Sequence, residues 1–209
     1  MILSLVAILI GFIFYSQQTV ATATAISQGR QRGFGAAFAI MSGALTGDAL
    51  WLAAALGVVA LASQIEPLRV IFSIVGSFFF LRLAWGALID ARQGATPRQD
   101  ASGNLAGYQA GARITLRNPY ALGFWVGVAT ATILSMTAQP LLLEYSAFFV
   151  GVVLGATLWS GLIAWLAAQH PDWLTAGFFR AINGAGGVLA ALFGIAMLWT
   201  IVMQTAAAP

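Results

Sequence analysis

The sequence predicts an all-α, polytopic integral membrane protein with six transmembrane helices and very little protein outside the bilayer. Of its 209 residues, 60% are hydrophobic and only 7% are charged, whereas soluble domains carry roughly 25% charged residues. The hydrophobic residues fall into six windows, each long enough for a span of about 20 mainly apolar residues. Because these windows take up most of the chain, we expect a single transmembrane domain over residues 1–209.

Each window reads as a helix, since none shows the alternating ten-residue pattern of a barrel strand. The polar segment 90–117 separates the third and fourth windows, and its residues 108–116 are typical of a short interfacial helix. The first window carries no Lys or Arg in residues 1–10, so we interpret it as a retained span and not a cleaved signal. The six predicted spans are 2–25, 34–62, 68–89, 119–136, 142–168 and 182–203.

The arginines predict the orientation of the spans. All nine basic residues are Arg, and seven of them lie in the first, third and fifth connections. The positive-inside rule therefore places loop 90–117 in the cytoplasm and both termini on the outer side. The two halves of the chain then have opposite orientation, a 3+3 inverted-topology bundle of the kind that many secondary transporters use. The seven arginines are Arg30, Arg32, Arg92, Arg98, Arg113, Arg117 and Arg180.

Composition excludes several classes of function. The absence of Cys rules out disulfides, thiol catalysis and thiolate metal sites, and one His cannot build a His-based metal cage. No Ser/His, His/Glu or paired-Asp constellation suggests an enzyme, so we expect no catalytic residues, no metal and no cofactor. The scattered arginines indicate contact with the lipid bilayer and no nucleic-acid partner.

Asp48 is the residue with the strongest functional signal, because it lies near the centre of the second window. A charge at that depth costs about 2.5–3.5 kcal/mol, so the carboxyl group must face the bundle interior, pair, or be protonated. It is either a carboxylate that couples to protons or solute, or a structural ion pair or neutral acid. Arg82 in the third window is its natural partner, unless the Arg82 side chain extends to the lipid headgroups.

The first window is unusually polar around Gln17 and Gln18. Unpaired amides in hydrocarbon cost several kcal/mol, so these side chains either line a wet path or hydrogen-bond to neighbouring helices. We expect Gln17, Gln18 and Thr46 to line a solute site with Asp48.

Two further features accompany Asp48. Gly43 and Gly47 form a small-xxx-small pattern that is typical of a close-packed helix face. Asn118 and Pro119 open the fourth window as a helix cap and a first helical residue. Such a helix start directs free N–H groups and the positive end of its dipole toward an anion, and an amino-acid carboxylate would fit.

These features together resemble the LysE/RhtB family of bacterial amino-acid exporters. The resemblance rests on chain length, six spans, the polar first helix, the longer loop after span three, Gly43-x-x-x-Gly47-Asp48 and Asn118-Pro119. It implies proton-coupled export of amino acids or similar small polar solutes across the bacterial inner membrane, which would make both termini periplasmic. It also implies a homodimer; a larger membrane complex is the other partner that we consider.

One departure from that family concerns the first helix, where its members usually carry a Pro-Gly-Pro break. This sequence has no Pro or Gly between Phe12 and Gln28, which predicts a continuous first helix. Either Gln17 and Gln18 supply the missing polar contacts, or transport is altered or lost. The alternative function is therefore a transport-deficient protein that acts as a structural or assembly subunit of a larger membrane complex.

Overall fold

The computed structural model describes residues 2–17, 19–94, 107–118, 120–137 and 139–206. Within these ranges the chain forms eight α-helices and one short 3₁₀ turn, with no strand, so the predicted all-α fold is confirmed. The helices are α1 Ile2–Ser16, α2 Val20–Arg32, α3 Phe34–Ala62, α4 Glu66–Gln93, α5 Tyr108–Leu116, α6 Tyr120–Met136, α7 Leu142–Gln169 and α8 Ala176–Ala206.

The helices have the length and composition of membrane spans. Helices α3, α4, α7 and α8 are each long and apolar enough to cross a bilayer alone. Helices α1 and α2 form a pair bent by 73°, and α5 and α6 form a pair bent by 78°. If each bent pair is one span, the described residues provide six spans, and the protein is an integral membrane protein.

The first span is broken, so the prediction of a continuous first helix is wrong. Helix α1 ends at Ser16, whose hydroxyl donates to the Ile13 carbonyl at 2.7 Å, and the Gln17 amide donates to the same carbonyl at 3.4 Å. Helix α2 restarts with Thr19 as its cap, since the Thr19 hydroxyl accepts from the Thr22 N–H at 3.2 Å. Polar side chains can compete with the backbone for its hydrogen bonds, and the sequence at this bend contains neither Pro nor Gly.

The order of elements is repeated, because a bent pair followed by two long helices occurs twice. In the first pairing α1 packs against α7, with backbones in direct contact at glycines. A Cβ atom on Gly155 would overlap the Ile8 carbonyl, and one on Gly11 would overlap the Val152 carbonyl. Only glycine permits such close helix approach.

The corresponding contact in the other half joins α5 to α3. A Cβ on Gly43 would overlap the Tyr108 carbonyl, and one on Gly47 would lie 2.9 Å from the Thr115 side chain. The Trp51 indole N–H also donates to the Thr115 carbonyl at 3.3 Å. Helix α5 has the bounds 108–116 that the sequence predicted for an interfacial helix. These contacts show that it packs against α3.

Side-chain hydrogen bonds join segments that lie at the same end of the bundle. Arg30 donates to the Pro171 carbonyl at 3.3 Å, which joins the first connection to the fifth. Arg180 donates to the Ala91 carbonyl at 3.2 Å, which joins the start of α8 to the end of α4. At the other end the Tyr145 hydroxyl contacts the Ser63 hydroxyl at 3.4 Å.

Candidate functional site

The Asp48 carboxylate is held by a tyrosine at the end of the broken first helix. The Tyr15 hydroxyl donates to Asp48 Oδ2 at 2.7 Å, and the Tyr15 side chain is only 6% exposed. Tyr15 belongs to the last turn of α1, one residue before the helix ends, while Asp48 lies near the middle of α3. A short hydrogen bond to an ionised acceptor is among the stronger ones in proteins, so it fixes α1 against α3 next to the break.

A cavity of about 240 Å³ opens beside this pair. Thr19 and Asn118 border it, and each caps the second helix of a bent pair. The Asn118 side chain accepts from the Tyr120 N–H at 3.1 Å, which matches the role of Thr19 at α2. Two helix N-termini, the positive ends of their dipoles, therefore lie on the cavity that holds Asp48. The other lining residues are Phe14, Tyr15, Val20, Ala21, Thr22, Met41, Ala44, Ile114 and Thr115.

A second cavity of about 310 Å³ also contains Asp48. Phe14, Asp48 and Asn118 line both cavities, so the carboxylate lies between the two spaces. Gln17 and Arg82 line the second cavity only. The remaining residues of this cavity are Phe79, Leu83, Gly86, Asp90, Tyr120, Ala121 and Phe124.

Aromatic rings surround the point where the cavities meet. The Phe14 ring stacks on Phe124 with centroids 4.8 Å apart and contacts the edge of Trp125 at 4.9 Å. Trp125 is 1% exposed, and its ring packs against those of Phe14 and Phe124. These rings form an apolar wall beside Asp48, and low polarity strengthens electrostatic interactions near that wall.

The structure brings four of the predicted site residues together: Asp48, Gln17, Asn118 and Arg82 share the second cavity. Arg82 nevertheless forms no ion pair with Asp48 or with any other described residue. Thr46 points elsewhere, because its exposed side chain donates to the Ser42 carbonyl at 3.0 Å and lines neither cavity.

The other predicted residues fall outside this group. Gly43 and Gly47 face α5 and form its packing surface. Gln18 and Pro119 lie outside the residues that the structure describes.

Tyr15 and Phe14 are the site residues that sequence reasoning missed. The signal for Tyr15 was present, because a tyrosine within an apolar span needs an acceptor for its hydroxyl, and a carboxylate in the next span provides one. Phe14 carried no comparable signal, since an aromatic residue in a membrane helix is ordinary packing.

Comparison with known proteins identifies the family. The family model described as LysE type translocator matches residues 7–200. The chain belongs to this family. The resemblance drawn from the glycine pattern, Asp48 and Asn118-Pro119 is thereby confirmed, and the family is one of membrane translocators for small solutes.

The chain is also similar to a named bacterial protein. The chain is 28% identical over 200 residues to the "Chemotactic transduction protein ChpE" of Pseudomonas aeruginosa, covering 92% of this chain and 96% of the relative. No solved structure matches the chain.

Proposed function

We propose that this protein is a secondary transporter that exports amino acids or similar small polar solutes across the bacterial inner membrane, coupled to protons. The observation that carries the proposal is the position of Asp48. It lies on a cavity where the second helices of both bent pairs begin. Discontinuous helices whose N-termini face a midplane cavity are the usual construction of solute sites in secondary transporters.

The groups around the cavities fit such a solute. The helix starts at Thr19 and Asn118 attract a carboxylate, while Asp48 accepts a proton or an ammonium group. The two cavities meet at Asp48 and Phe14, so the carboxyl group can be reached from either cavity. Release of the Tyr15 hydroxyl from Asp48 is the local change that we associate with proton binding.

We also propose the 3+3 inverted topology, with both termini periplasmic and loop 90–117 cytoplasmic. The repeated order of a bent pair and two long helices supports it, as do the matching glycine contacts of α1 with α7 and α5 with α3. Arg30 and Arg180 bring the arginine-bearing connections to one end of the bundle, as the positive-inside rule requires of a cytoplasmic face.

A second candidate function is a transport-deficient protein that acts as a structural or assembly subunit of a larger membrane complex. The name of the relative, "Chemotactic transduction protein", favours it. Against it stands the polar interior, since a purely structural bundle gains nothing from a carboxylate held in its membrane-spanning part. The broken first helix also removes the reason for expecting transport to be lost.

Efflux from proteoliposomes tests the two candidates. Labelled amino acids are loaded, a proton gradient is imposed, and wild type is compared with Asp48→Asn and with Thr46→Ala as a matched control on the same helix. We expect efflux by wild type and Thr46→Ala and its loss in Asp48→Asn. No efflux over a broad panel of amino acids, together with a stoichiometric membrane partner on purification, would establish the second candidate instead.

A further inference from the structure

Arg82 is a charged residue within a predicted span, and it has no partner among the described residues. It lies on α4, seven residues before the end of the predicted span 68–89, which is about 10 Å at 1.5 Å per residue. Arginine at this depth is costly and is typically retained where it faces a cavity or an anion. The proposed pairing with Asp48 is not formed, so the guanidinium is available to another anionic group.

The guanidinium faces the second cavity because the next turn of α4 has no side chain. A Cβ atom on Gly86 would lie 3.6 Å from Arg82 Nη1, so the Arg82 side chain runs along the helix over Gly86. Arg82, Gly86 and Asp90 are spaced four residues apart and share one helix face, and all three line the cavity.

The second cavity contains groups of both signs. Arg82 provides the cation, Asp48 and Asp90 provide the carboxylates, and Gln17 and Asn118 provide neutral amides. The remaining wall is largely apolar, formed by rings and aliphatic side chains such as Phe79, Leu83 and Phe124. Such a lining suits a small zwitterion that has one apolar substituent.

We propose that Arg82 binds the carboxylate of a neutral α-amino acid in this cavity, while Asp48 faces its ammonium group. The planar guanidinium matches a carboxylate with two parallel hydrogen bonds, which a lysine ammonium cannot do. Arg82 thus selects solutes that carry a carboxylate over simple amines. The inference rests on the proposed function, since it names the solute and places it in the second of the two cavities that meet at Asp48.

A lipid phosphate is the competing anion. Arg82 also borders an outward-facing apolar groove of about 370 Å³ formed with Ile74, Val75, Phe78 and Phe79. A headgroup drawn toward that groove would use the same guanidinium. The two sources differ in one measurable respect, because only the solute site discriminates between an amino acid and the amine that lacks its carboxylate.

Binding of L-leucine and 3-methylbutylamine, which is leucine without its carboxylate, tests the proposal. The full chain is placed in phosphatidylcholine nanodiscs, and affinity is measured by calorimetry. We compare wild type, Arg82→Gln, Arg82→Lys and the control Arg92→Gln, which changes an exposed arginine at the end of the same helix. Thermal unfolding confirms that each variant is folded.

We expect leucine affinity to fall about 10- to 100-fold in Arg82→Gln, to recover in part in Arg82→Lys, and to stay unchanged in Arg92→Gln. The amine should bind weakly and equally to wild type and Arg82→Gln. Equal loss of both ligands, unchanged leucine affinity, or no leucine binding by wild type would overturn the proposal. So would an Arg82 requirement that appears only with anionic lipids, since that result assigns the guanidinium to a headgroup.

The outcome is separable from that of the efflux assay. Leucine binding that depends on Arg82, in a protein without efflux, would reject the transporter and keep the binding site. Efflux that depends on Asp48 but is indifferent to Arg82 would do the reverse.

Discussion

Removal of the Tyr15 hydroxyl is the most informative single change, because Tyr15→Phe leaves the ring in place and deletes one hydrogen bond. That bond is 2.7 Å long, its acceptor is a carboxylate, and the donor side chain is 6% exposed. A hydrogen bond to a charged group contributes about 1.5–3 kcal/mol. If the bond positions Asp48 for transport, its loss corresponds to about a 10- to 150-fold fall in kcat/KM.

A double-mutant cycle with Asp48→Ala measures the interaction directly. Unfolding in detergent is recorded for both single variants and the double variant, and we expect a coupling free energy of about 1.5–3 kcal/mol. Tyr145→Phe is the control, since its hydroxyl makes a 3.4 Å contact with the neutral Ser63, and its effect should stay below about 1 kcal/mol. Additive effects, within about 0.5 kcal/mol, would refute the role assigned to Tyr15.

Two other predictions concern packing and the helix break. Gly43→Ala should destabilise the protein by about 1–3 kcal/mol, because the added Cβ overlaps the Tyr108 carbonyl. Gly57→Ala is the control on the same helix, since its Cβ meets open space. It should be neutral or stabilising by up to about 1 kcal/mol. Thermal unfolding in detergent compares them, and equal effects would contradict the close contact of α3 and α5. Thr19→Ala should cost about 1 kcal/mol by removing the α2 cap and speed amide exchange in the first turn of α2, while Thr19→Ser should not. Unchanged exchange in Thr19→Ala would mean that another group holds the break.

The long spans could be predicted from hydropathy. A membrane-spanning helix requires about 20 mainly apolar residues, and mean hydropathy measures that property directly. Helices α3 and α7 begin at Phe34 and Leu142, which are the first residues of the predicted windows. Each helix ends within one residue of the predicted end of its window. Helices α4 and α8 extend beyond their windows into polar ends, such as Arg92 and Gln93 of α4, that a hydropathy window does not count.

The broken first helix could not be predicted by looking for Pro and Gly alone. At the break Ser16, Gln17 and Thr19 form hydrogen bonds with the backbone, and the sequence showed these residues only as polar side chains in need of partners. The residues of the candidate site were likewise predicted only in part. A charge in a span identified Asp48 on energetic grounds, whereas its partner depended on how α1 packs against α3, and Tyr15 took the place expected of Arg82.

Thiol labelling around Asp48 tests most directly the central claim that the broken spans enclose a water-accessible solute cavity. The chain has no Cys, so a single Cys substitution gives a protein with one thiol. Ala44→Cys introduces this thiol at a cavity-lining residue of α3. Leu50→Cys introduces it at an exposed apolar position of the same helix. Thiolates form in water and not in hydrocarbon. We therefore expect a small charged methanethiosulfonate reagent to modify Ala44→Cys, more slowly when the transported amino acid is present, and to leave Leu50→Cys unmodified. Equal reactivity at the two positions, or labelling of Ala44→Cys that no solute slows, would contradict the account.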